Sequence, residues 1–222
     1  MTRNRKTARA TKIPDVVVDR LPLYARCLAL LQSRRQEVVS STELASMSRV
    51  TPAQIRKDLS YFGRFGKQGR GYNVGQLLGK LWHILGLNRD WRVALIGVGK
   101  VGRAILEYDG FASEGFHVVQ AFDVDHQMVG QKLVSVTIRH VSELEQRLLK
   151  DPVDIGIVAV PAVEAQAVVD ALVRCGVKAI LNYAPLRPHR PADVELRQID
   201  PVLALQSMTF YLKALKEPAK RR

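Results

Sequence analysis

Gly97-Val98-Gly99-Lys100-Val101-Gly102 follows directly on the apolar run Trp91-Arg92-Val93-Ala94-Leu95-Ile96 and opens a helical pattern toward Tyr108. Strand, glycine turn and helix in that order leave few folds open. The first glycine permits a tight turn, the second lets a pyrophosphate approach the backbone, and the third lets the helix pack close to the strand. The helix N-terminus then favours negative charge. A second strand-like run, Phe116 to Phe122, ends at Asp123, 21 residues beyond Gly102. An acid at that place can bond a ribose 2′-hydroxyl. No Arg or Lys stands at 121–127 to receive a 2′-phosphate, so NAD(H) is favoured over NADP(H).

The following residues alternate as an α/β, doubly wound parallel sheet requires. Thr137 to His140 predicts a strand, and Ser142 to Glu145 a capping box before a helix. Ile155 to Val160 predicts a buried strand ending at Pro161, and the Ala/Val-rich stretch behind it a helix ended by Gly176. Ala179 to Asn182 predicts a strand running into Tyr183-Ala184-Pro185. A last strand, near Val194 to Ile199, leads through Asp200-Pro201 into a terminal helix. Val160, Pro161, Asn182 and Tyr183 fall at carboxyl ends of strands, where such sheets bind ligands, and are the candidates for a nicotinamide side.

The first ninety residues have a different character. They hold 17 Lys/Arg against 6 Asp/Glu, whereas residues 91–222 hold 17 against 15. Most of the formal +13 therefore sits in one half, which calls for a polyanionic partner there. Residues 1–12 form a basic leader, read either as a solvated, unstructured arm or as an arm that touches nucleic-acid backbone. Pro14 opens a helix through Leu21, Leu28 and Leu31, with Pro22 bending it. Ser40 to Glu43 and Thr51 to Gln54 are two helix-start signals separated by a short helix, and a third helix runs to about Phe62 and stops at Gly63. Two short helices across a tight turn are helix-turn-helix geometry, the second entering the major groove. Ile55 and Leu59 face the core, with Phe62 following, which leaves Gln54, Arg56, Lys57, Ser60 and Tyr61 outward to read bases or hold phosphates. The segment 64–74 then offers three glycines and the cations Arg64, Lys67 and Arg70, a basic β-turn that completes a winged helix, with Lys67, Arg70 and Tyr72 expected to meet DNA. A helix from Gly75 to Leu85 closes the unit.

The boundaries so drawn are a leader at 1–12, a winged-helix DNA-binding domain at 13–88, a Rossmann-type domain at 89–200, and a dimerisation helix and tail at 201–222. Cys27 and Cys175 are too few and too far apart for a disulfide scaffold or metal cluster. No apolar run reaches the ~18–20 residues of a membrane span. With no signal peptide, the expectation is a cytoplasmic protein. The five histidines share no spacing and none falls at the strand tips, so no catalytic residue is assigned and the chain is read as a binder, not an enzyme. In the terminal helix, Val202, Leu205, Met208, Leu212 and Leu215 make one apolar stripe while Phe210 and Tyr211 point elsewhere. Exchange of this helix with a second subunit would bury both sets.

Arg20 to Tyr24, Ile55 to Gly63, Gly69 to Val74, Gly97 to Gly102, Val160 to Ala162 and Leu181 to Pro185 together resemble the Rex family of bacterial redox-sensing transcriptional repressors. The resemblance runs from about Ile13 to Leu212 and departs at Tyr183, where the family usually has Phe. It implies a homodimer on an inverted-repeat operator, released when NADH binds. It further implies that Arg56, Lys57 and the wing touch DNA, that Gly97, Gly99, Gly102 and Asp123 hold the cofactor, and that Phe210 lies near the partner's nicotinamide. It places Arg20, Tyr108 and Asp200 in an interdomain relay. Two other readings compete: a small NAD-dependent oxidoreductase with an incidental basic domain, and an architectural DNA binder with a vestigial nucleotide site.

Overall fold

The computed structural model describes residues 13–66 and 70–216, with side chains as far as 213. The chain divides after Arg89 into two compact units.

In the first unit, helix α1 (Asp15–Ser33) starts behind Pro14 and runs unbroken through Pro22. Its buried positions Val17, Leu21, Tyr24, Leu28 and Leu31 recur at four and three residues, so one face is apolar throughout. Strand β1 (Val38–Val39) leads to α2 (Ser41–Ser48) and α3 (Pro52–Ser60). Both helix starts form as the local chemistry requires: the Ser40 side chain accepts the Glu43 amide, and that of Thr51 the Gln54 amide. Strand β2 (Tyr72–Asn73) pairs antiparallel with β1, and α4 (Val74–Leu85) ends at Gly86, whose φ of 70° suits a left-handed cap. Leu28, Leu44, Ile55, Leu59, Leu78 and Leu81 are fully buried together. At about 1.5–3 kcal/mol for each such side chain, this core holds the three-helix arrangement that presents α3.

The second unit contains β3 (Trp91–Ile96), α5 (Lys100–Glu107), α6 (Gly110–Ser113), β4 (Phe116–Asp123), β5 (Lys132–Leu133), β6 (Val136–His140), α7 (Leu144–Lys150), β7 (Ile155–Val158), α8 (Ala162–Arg174), β8 (Ala179–Asn182), β9 (Glu195–Gln198) and α9 (Pro201–Lys216). The strands lie in the order β5-β6-β4-β3-β7-β8-β9, all parallel except the short β5. The chain reverses direction across the sheet between β3 and β7, the point at which such sheets open a crevice for ligands. Phe122, Leu148, Val158 and Leu172 pack one face beneath α7 and α8, and Leu95, Ile105, Ala121 and Ile138 pack the other beneath α5.

Two features depart from the sequence reading. The hairpin joining β5 to β6 went unread because its two turn residues, Val134 and Ser135, lack the Asn-Gly chemistry of such turns; Val134 takes φ 52° regardless. Ser142 does not cap α7. Residues Val141–Glu143 form a 3₁₀ turn instead, with His140 Nδ1 accepting the Ser142 amide at 3.3 Å. In the single chain α9 is exposed at every position from 201 to 213, with Val202 at 55%, Phe210 at 71% and Tyr211 at 67%. Neither its stripe nor its aromatics are covered among the described residues.

Candidate functional site

On α3, Arg56, Lys57 and Ser60 are exposed and Tyr61 is half-buried. Arg56 donates from Nη1 to Ser41 Oγ at 3.0 Å, which ties the first helix of the pair to the second. Ser60 donates to its own helix, to the Lys57 carbonyl at 2.6 Å, so its oxygen is left to accept. Gln54 departs from the expected outward pose: its amide donates to Asp58 Oδ1 at 2.6 Å. Asp58 also receives Arg20 Nε, Arg20 Nη2 and the Tyr24 hydroxyl, at 2.6, 2.8 and 2.6 Å. This carboxylate has no exposed side-chain surface. Burial alone would raise its pKa; the hydrogen bonds from Arg20, Tyr24 and Gln54 outweigh that and hold it below the usual carboxylate value. The sequence reading missed Asp58 altogether, although a carboxylate between Ile55 and Leu59 on the core side of a helix requires a cation.

Tyr72 also departs from expectation. Pairing with Val39 turns it into the core, where it is 8% exposed, while Asn73 faces out and caps α4. Burial pushes its phenol up, with the Arg56 charge opposing. The wing is pinned by backbone proximity: a Cβ on Gly71, at φ 71°, would lie 2.6 Å from the Val39 carbonyl oxygen. Lys80 Nζ stands 5.3 Å over the Phe65 ring, and Arg70 is exposed. The leader at 1–12 and Lys67 lie outside the described residues.

In the second unit, four segments gather at the carboxyl ends of adjacent strands. Gly97 has φ 92°, and a Cβ there would lie 2.5 Å from the Ala159 carbonyl oxygen. A Cβ on Gly102 would collide with the Gly97 carbonyl, yet one on Gly99 would meet nothing within 4 Å. The three glycines thus do three different things: turn, open approach and close packing. Gly99 gives α5 no side-chain cap, and Lys100 and Val101 in its first turn are exposed. These are donors and space of the kind a pyrophosphate uses. Asp123 Oδ2 accepts the Val98 amide at 2.5 Å and Oδ1 the Asp125 amide at 2.9 Å. The acid expected to meet a ribose is therefore locked to the glycine loop itself. Its register partner on β6 is His140, whose ring stacks on His126 with centroids 4.9 Å apart and planes 10° from parallel. Arg103 reaches to Met128 Sδ at 3.6 Å, a cation beside this loop that the window 121–127 could not reveal.

Val160 is half-buried and Pro161 exposed at the start of α8, and Tyr183 is half-buried with its phenol pushed up by burial. Asn182 departs from the expected cofactor contact. It is fully buried, its Oδ1 accepts the Ala184 amide at 3.1 Å, and its Nδ2 donates to the Leu186 carbonyl and Gln198 Oε1, both at 2.7 Å. With both ends of its amide occupied, it shapes the loop that follows β8. Of the three residues expected in a relay, Arg20 is held by Asp58, Tyr108 is 64% exposed and meets Phe111 edge-on at 5.5 Å, and Asp200 Oδ1 accepts the Val202 amide at the start of α9. Among the described residues no group of three potential ligands could hold a metal, and no helix is long and apolar enough to cross a membrane.

Residues 88–186 match a family described as "CoA binding domain", and residues 12–60 one described as "Putative DNA-binding protein N-terminus". A redox-sensing transcriptional repressor Rex from Chloroflexus aurantiacus is 50% identical over 204 residues, 92% of this chain and 96% of that one. Its counterpart in Streptomyces coelicolor is 42% identical over 208 residues, 94% of this chain and 81% of the other. Among solved structures, RSP in complex with β-NAD+ and operator DNA superposes with a TM-score of 0.88 at 37% identity, covering 93% and 95% of the two chains. RSP in complex with β-NADH gives 0.84 at 35% identity over 93% and 97%.

Proposed function

The chain belongs to the Rex family of redox-sensing transcriptional repressors, and from that premise we propose that it represses transcription by binding operator DNA and releases it as NADH replaces NAD. The observation that carries the nucleotide half is the glycine loop, where Gly97 and Gly102 admit no side chain, Gly99 opens onto free space and Asp123 holds the loop by the Val98 amide. For the DNA half, Arg56 and Lys57 stand exposed on a helix whose start is fixed by Thr51 and whose tilt is fixed by Asp58. Arg56, Lys57, Ser60, Tyr61 and Arg70 are the residues proposed to meet DNA. Gly97 to Gly102, Asp123, Val160, Pro161 and Tyr183 are those proposed to meet the dinucleotide.

The assembly is a homodimer on an inverted repeat, with α9 covered by the second subunit and Phe210 brought to the partner's nicotinamide. Its bare apolar circumference supports this, because a lone chain leaves Val202, Met208, Phe210 and Tyr211 all in water. An aromatic at that place packs differently against the uncharged ring of NADH and the cationic ring of NAD, so the dimer's shape follows redox state. By linkage, NADH and DNA then oppose each other. The protein works in the cytoplasm as a sensor and binds its nucleotide without turning it over.

Operator binding titrated with NADH at fixed NAD tests this. Affinity should fall as NADH rises, with no hydride transfer over a broad substrate screen. DNA affinity indifferent to NADH would leave an architectural binder, and steady NADH consumption would leave an oxidoreductase.

A further inference from the structure

Arg139, Arg147 and Lys150 line a cleft of about 430 Å3 between α7 and the strands β4 and β6, together with Thr137, Gln120 and Asp151. Gln120 and Thr137 each precede by three residues the strand ends Asp123 and His140. The cleft therefore sits about 10 Å down the strands from the glycine-loop crevice.

The charges around it do not cancel. Asp151 is already occupied, receiving Arg92 Nη2 at 2.6 Å, and Gln120 Nε2 is committed to the Asp151 backbone carbonyl at 2.7 Å. Glu143 takes Arg147 through Nε at 2.8 Å, and the two Nη groups of Arg147 make no described hydrogen bond. Arg139 acts on Glu143 through space only, and Lys150 forms no hydrogen bond or ion pair among the described residues. Four cations thus face two carboxylates, leaving two positive charges in excess. The whole of residues 91–222 carries only that much, 17 Lys/Arg against 15 Asp/Glu. Two guanidinium groups, an ammonium and a hydroxyl converge from β6 and α7, which is a donor set suited to a tetrahedral dianion. The volume exceeds what a bare ion fills and falls in the range of small-metabolite sites.

We propose that this cleft is a second anion site, which takes the phosphoryl group of a small phosphate ester. The glycine loop and the basic face of α3 also attract phosphate, so the test must separate the three. Glucose 6-phosphate is titrated into the full chain with NADH present, with glucose as the neutral control. One equivalent should bind per chain. Arg139→Gln and Lys150→Gln, on different elements and both exposed, should each weaken it about tenfold or more, while Arg56→Ala leaves it unchanged. Sugar phosphate held at the glycine loop would be indifferent to both cleft substitutions, and that result overturns the proposal whether or not NADH binds. No binding of glucose 6-phosphate, or a response in this cleft only to duplex DNA, overturns it as well. If either Gln variant unfolds, the other decides, because each removes a cation from a separate element.

Discussion

Arg20 and Asp58, 38 residues apart on α1 and α3, meet side-on, with the guanidinium donating from Nε at 2.6 Å and Nη2 at 2.8 Å into a carboxylate without solvent exposure. Tyr24 and Gln54 complete the set, so α3 is bound to α1 through one buried charge. Burial opposes ionisation here and the donors win, so the folded pKa lies below the unfolded value of about 3.9. The stabilisation is therefore complete above that pH and is lost as pH falls through the folded pKa. Asp58→Asn should cost about 3–5 kcal/mol at neutral pH and flatten the acid limb of the stability curve. Urea unfolding across the acid range checks this; an unchanged midpoint in the variant would contradict it.

Arg56→Ala or Lys57→Ala should weaken operator binding by about 1–3 kcal/mol where the side chain reads a base, and reduce the salt slope where it holds a phosphate. NADH affinity should not move. Identical isotherms and salt slopes in both variants would remove α3 from the interface.

Asp123→Ala should weaken NADH binding and narrow the gap to NADPH, because it removes both the proposed ribose acceptor and the anchor of the Val98 amide. Calorimetry with both coenzymes decides. A wild-type chain that binds NADPH as well as NADH would show that Asp123 does not discriminate.

Deletion of residues 200–222 should yield a monomer by sedimentation, whereas Phe210→Ala should stay dimeric and lose part of the NADH-driven release from DNA. An intact dimer after the deletion, or a full NADH response in Phe210→Ala, would refute the exchanged helix.

Val134 is β-branched, 68% exposed and held at φ 52°, a strain on the order of 1–3 kcal/mol. Val134→Asn should recover on the order of 1 kcal/mol and raise the thermal midpoint. A lower midpoint would mean that the turn does not store this strain.

What could be read before the fold was known depended on how local the cause was. Ser40 and Thr51 cap helices with atoms three residues away, and Gly97 to Gly102 turn within six residues, so both were plain from the order of side chains alone. Gln54 and Tyr72 read as outward because polar groups usually face water, and Asn182 as ligand-facing because it ends a strand. Tyr72 and Asn182 were overruled by distant partners, the β1 pairing and Gln198 on β9, while Gln54 turned to Asp58 four residues on, a carboxylate that Arg20 and Tyr24 of α1 hold in the core. The cleft around Arg139 combines two strands and a helix that no single window of sequence contains.

On the proposed exchange of α9, its bare circumference also makes abundance part of the output. With a second copy as its cover, the fraction of chains able to grip a two-fold operator rises with protomer concentration by mass action, and the apparent stability of the folded chain rises with it. A cell that diluted this protein by growth would therefore loosen repression with no change in its NADH, and one that made more of it would need a larger redox swing to clear the same promoter.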